Sequence, residues 1–139
     1  TEEVEAPEVE APEAPPPTEE KLQILNFPLK RFPPSSKAWE ISKRLVEGFK
    51  GVENSIVGRI REGKLYVGYW PKTPLGELSQ NNTKLLIIFH NMVEAYEKDT
   101  LKRVIVHGEN NWFTLFNRNK MLVFIQSDTK PSERLLNLF

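Results

Sequence analysis

Cysteine is absent from this 139-residue chain, which removes disulfides, thiolate metal sites and cysteine nucleophiles at once. Histidine occurs only as His90 and His107, which is thin material for an imidazole metal centre. No uninterrupted apolar run approaches the ~18 residues a membrane span requires. Residues 1–20 contain no Lys or Arg, but eight Glu and five Pro. An acidic start without an apolar core is the opposite of a secretory signal. The expectation is a cytoplasmic chain with no membrane span.

The tail also lacks apolar bulk beyond Val4 and Val9, so it buries too little surface to offset its ordering entropy and is expected to be disordered. Setting it aside changes the charge. The whole chain is neutral, with 19 Lys+Arg and 19 Asp+Glu. Residues 21–139 keep every cation and only eleven of the carboxylates, a net of +8. The chain divides into an acidic Pro-rich tail (1–20), an extended apolar strap (21–34) and a domain (35–139).

The strap, KLQILNFPLKRFPP, holds Leu22, Ile24, Leu25, Phe27, Leu29 and Phe32, too many apolar groups for a free linker. Its prolines forbid a long helix. It reads as an extended segment lying on the domain. Leu22, Ile24, Phe27 and Phe32, with Trp70 further on, are the candidate partner-binding residues.

Ser35 or Ser36 caps a helix running to about Lys50, with Ala38, Ile41, Leu45 and Phe49 on one stripe. Gly51 suits the left-handed residue that ends it. SIVGRIREGKLYVGYW is a hairpin turning at Glu62-Gly63. Residues 75–99 contain the central helix, where Leu85, Ile88, Phe89, Met92, Val93 and Tyr96 form a broad stripe and Leu86 and Ile87 widen it further. A helix apolar over that much of its circumference is covered on two sides. In so small a domain, the second cover is another subunit. VIVHGENNWFTLFNRNKMLVFIQSD, residues 104–128, is a three-stranded meander. Pro131 opens a short final helix.

Catalytic arrangements are missing. His107 and Glu109 share one face of a strand but have no further ligand nearby, and they read as turn or edge contacts. His90 reads as a partly exposed helix residue. There is no G-x-x-x-x-G-K-[ST] phosphate loop and no nucleophile elbow. The expectation is a non-enzymatic protein with no cofactor. Lys30-Arg31, Lys43-Arg44, Arg59-Arg61-Lys64 and Lys102-Arg103 are scattered along the chain, as are the aromatics that could stack on bases. Nucleic acid is accordingly a disfavoured partner at this level.

The order α-β-β-α-β-β-β-α over 35–139 resembles the roadblock family of dynein light chains and GTPase regulators. The stretches that carry the resemblance are GFKGVENSIVGRIREGKLYVGYW and the meander; the strap and the tail lie outside the pattern. The resemblance implies an α+β fold, a five-stranded antiparallel sheet with the long helix on one face. It implies a homodimer in which the first meander strand pairs with its twin and the long helices pack together. Mapped onto this sequence, the dimer interface falls on Ile88, Met92 and Tyr96 of the helix and on Arg103, Ile105 and His107 of the strand. The function implied is a dimeric adaptor that binds a small Ras-like GTPase or a scaffold complex. The alternatives are a monomeric profilin- or longin-like peptide-binding module, or a binder of nucleic acid or anionic surfaces gated by the tail.

Overall fold

The structure, a computed structural model, describes residues 23–139. The expectations for the tail 1–20 and for Leu22 lie outside the described residues. The chain folds as a mixed α+β unit: strands β1 (Gln23–Ile24) and β2 (Phe27–Arg31), helix α1 (Lys37–Gly48), β3 (Val52–Arg61), β4 (Lys64–Trp70), α2 (Gln80–Ala95), β5 (Arg103–His107), β6 (Trp112–Arg118), β7 (Met121–Ser127) and a four-residue α3 (Glu133–Leu136). The spatial order is β1-β2-β4-β3-β7-β6-β5.

Within 35–139 the five strands β3–β7 pair antiparallel throughout, but the sheet as a whole is larger than expected and not wholly antiparallel. The strap contributes β2, which pairs in parallel with β4 through Leu29↔Leu65, Lys30↔Tyr66 and Arg31↔Val67. Two-residue β1 folds back on it. Six strands result, extended by β1. The reason lies in the strap's own alternation: Ile24 and Leu29 are buried among core side chains. Pro28, which cannot donate to a ladder, is tolerated on a strand so near the sheet edge.

The helices take opposite faces. Side chains alternate along a strand, so Ile56 and Val57 point to different layers. Ile56, Leu65, Val67, Leu115, Leu122 and Phe124 pack with Leu86, Ile87, Phe89 and Val93 of α2. Val57, Phe116, Val123 and Ile125 pack with Ala38 and Leu45 of α1 and Leu135 of α3.

Local chemistry sets the boundaries. Ser36 caps α1, its hydroxyl accepting from the Ala38 amide, and Ser79 caps α2 by accepting from the Asn82 amide. Gly51 has φ +88°, as its place after α1 requires. Glu62 (φ 55°) and Gly63 (φ 75°) form the β3–β4 turn and hold Arg61 opposite Lys64. At Gly68, α1 comes so close that an added Cβ would lie 3.0 Å from the Ala38 Cβ and from the Trp39 amide nitrogen.

Candidate functional site

Helix α2 has more apolar surface than the other described residues cover. Its buried side is Asn82, Thr83, Leu86, Ile87, Phe89 and Val93, the residues that helical periodicity turns toward the sheet. Ile88 is 48% exposed, Met92 37% and Tyr96, just past the helix end, 57%. Ile88 and Met92 stand one turn apart and form an uncovered stripe.

The terminal strand β5 is equally bare. It pairs with β6 on one side, from Arg103↔Phe116 to His107↔Trp112, and takes no partner on the other among the described residues. Arg103, Ile105, Val106 and His107 are exposed, and Val104 is half-buried. Val104 packs into the α2-side core, and the two-residue period places Val106 on that same face. An exposed edge with apolar side chains is a template for pairing with another strand. His107 lies flat on the Trp112 ring, centroids 3.6 Å apart. That contact stiffens the end of the edge and ties the imidazole to a neighbouring strand.

All six sequence-predicted interface residues therefore lie at the surface, on α2, at its C-terminal cap and on β5. Those assigned to partner binding behave differently. Ile24 is buried in the α2-side core, so a surface role for it is corrected: the β1–β2 turn folds it under the helix. Phe27 is half-buried and meets the His90 ring edge-on at 6.4 Å. Phe32 is half-buried against Tyr66. Trp70 is half-buried with the Lys43 ammonium 5.1 Å from its ring centroid. These side chains hold the strap and the following loop in place.

Trp39 escapes a sequence reading. Its indole N–H donates to the carbonyls of both Phe32 and Pro33, each at 3.1 Å, and Lys72 sits over its ring. It pins the strap to the first turn of α1. The signal for it was a bulky donor a few residues after the Pro33-Pro34 pair, within reach of the strap's carbonyls.

One charged cluster flanks α2. Glu94 pairs with Lys120 of the β6–β7 turn. Loss of solvent around the His90 ring lowers its pKa from the ordinary 6.5; Glu94 pulls it upward and Lys120 downward, each to a lesser degree. Behind the helix start, the buried Asn82 amide donates to Asn54 at 3.2 Å and to Gln126 at 2.9 Å. It thereby ties α2 to β3 and β7. Among the described residues, no group of three or more His, Asp or Glu is placed to hold a metal ion, and no helix is long and apolar enough to cross a membrane.

Set beside known proteins, the chain matches no family model, and no curated protein is significantly similar to it.

Proposed function

We propose that this chain is a dimeric adaptor of the roadblock type, which works by presenting a composite surface to a small Ras-like GTPase or a scaffold protein. One observation carries the reading: an uncovered apolar stripe on α2, Ile88, Met92 and Tyr96, occurs together with an unpaired apolar strand edge at Ile105 and Val106. Each feature alone is an aggregation hazard, and a symmetric pair of copies removes both. The element order from α1 to α3, with α2 on one face and α1 and α3 on the other, supports the same reading. An adaptor of this kind acts by binding one conformational state of its partner more tightly than another.

Mass in solution is the first test: light scattering on the full chain should give twice 16.1 kDa at micromolar concentration. Binding of purified Ras-like GTPases loaded with a GTP analogue or with GDP is the second. Equal affinity for both loaded forms refutes regulation by state selection. A strict monomer refutes the dimer and returns the reading to a profilin- or longin-like module.

A further inference from the structure

The cations that are scattered along the chain are collected by the sheet. Residues paired across strands share a face, and on the face that carries α1 the register places Lys30 beside Tyr66 and Tyr66 beside Arg59. The next row holds Lys64 opposite Arg61. Beyond β3, the pairing Gly58↔Leu122 brings Met121 next to Arg59, and Met121 faces Arg118 of β6. Lys30, Arg59, Arg61 and Lys64 thus flank one aromatic ring, and Arg118 continues the same face three strands from it.

Helix α1 leaves this end open. It starts over Gly68 and is joined to the beginning of β3 by residues 49–51. It therefore runs away from Arg59 and Arg61, which end that strand. Arg61 and Arg118 are exposed, while Lys30, Arg59, Lys64 and Tyr66 are half-exposed. The Tyr66 ring is backed by Phe32, centroids 5.9 Å apart and tilted by 30°. Strands β2, β4, β6 and β7 contain no carboxylate, and Glu53 lies at the far end of β3; Glu62, in the β3–β4 turn, is the neighbouring acid. The Arg59 side chain is anchored by a long contact to the Asn119 carbonyl, 3.5 Å, and its Nε is shut off from solvent without a hydrogen-bond partner. A desolvated donor of this kind is a cost to the fold.

We propose that this face binds single-stranded nucleic acid. Phosphates are neutralised by the five cations while a base stacks on Tyr66. The charge complements any polyanion; the ring decides between classes. An aromatic ring on the open end of a sheet face, flanked by Lys and Arg, provides what unpaired bases use. A carboxylate-rich peptide gains little from it. A duplex has its bases already stacked and cannot use the ring.

The test is fluorescence anisotropy of the full chain with fluorescein-labelled oligothymidylate and oligouridylate of about 20 nucleotides, a length that spans an ordinary single-strand site. With five phosphate contacts on a single strand, log affinity falls with log salt at a slope of roughly −3.5, about a hundredfold loss between 50 and 200 mM. Arg61→Ala should lower that slope by about 0.7. Tyr66→Leu, which keeps an apolar side chain on Phe32, should cost about tenfold with the slope unchanged. Lys130→Ala, outside this face, should change nothing.

Absence of binding at 50 mM salt overturns the proposal. So does binding that ignores a combined Arg61→Glu and Lys64→Glu, both surface changes that leave packing alone. If a polyglutamate peptide binds through these residues and the oligonucleotides do not, the face belongs to acidic protein segments and the proposal fails. The α2 stripe lies on the other side of the sheet, so the oligomeric mass is unaffected by any of these outcomes.

Discussion

Replacing Ile88 with alanine tests the proposed dimer on the exposed stripe of α2. Fully burying an isoleucine side chain stabilises by about 1.5–3 kcal/mol. The chain already covers half of Ile88, leaving 48% exposed, so a partner can supply about 1 kcal/mol per copy. A twofold dimer contains the residue twice, which brings the loss to about 2 kcal/mol and raises the dimer dissociation constant roughly 30-fold. Ile88→Glu adds two desolvated carboxylates and should leave monomer only. Sedimentation equilibrium reads the constant, and circular dichroism checks that the fold survives. The paired control is Leu86→Ala: that side chain is fully buried in the α2-side core, and its loss should cost about 2–5 kcal/mol of unfolding free energy in either oligomeric state. An unchanged dissociation constant for Ile88→Ala would refute the reasoning, and so would unfolding of the Ile88→Glu monomer.

Gly68→Ala should destabilise by about 1–3 kcal/mol in urea unfolding, because the new Cβ meets the α1 backbone 3.0–3.1 Å away and the helix has nowhere to retreat; a neutral result would mean that α1 is loosely seated. Asn82→Ala should cost about 1–3 kcal/mol, since it takes the donor from the Asn54 side-chain oxygen and leaves Gln126 Oε1 with the Asn54 amide alone, and Asn82→Asp should not rescue it. His90 is held below its ordinary 6.5 mainly by loss of solvent. The unfolded chain therefore binds this proton more readily, and stability should fall as pH drops through and below 6.5. Glu94, whose pKa is lowered below 4.5 by its bond to Lys120, loses its contribution only at more acid pH. Urea midpoints between pH 7.5 and 5 should decline less for His90→Gln; parallel curves would count against the assignment.

Much of the candidate site was legible because it rests on local periodicity. The excess of apolar residues over 85–96 announced a helix that one sheet could not cover; which of them face outward, Ile88 and Met92, was given by the resemblance and not by spacing, which put them on one stripe with Phe89 and Val93. The β3–β4 register was equally readable, since a Glu-Gly turn with both residues at positive φ admits one close pairing, Arg61 with Lys64. Ile24 was not readable. Its burial depends on a strand pairing between segments more than thirty residues apart, which no short-range pattern encodes.

The elements, the charge partition and the surplus of apolar helix surface are therefore all properties of neighbours along the chain. That the strap becomes a parallel strand was settled by long-range pairing. The same pairing set Lys30, Arg59, Arg61 and Lys64 about Tyr66, with Arg118 further along that face. Residues distant in sequence become neighbours through cross-strand register, and that register is chosen by the whole core at once.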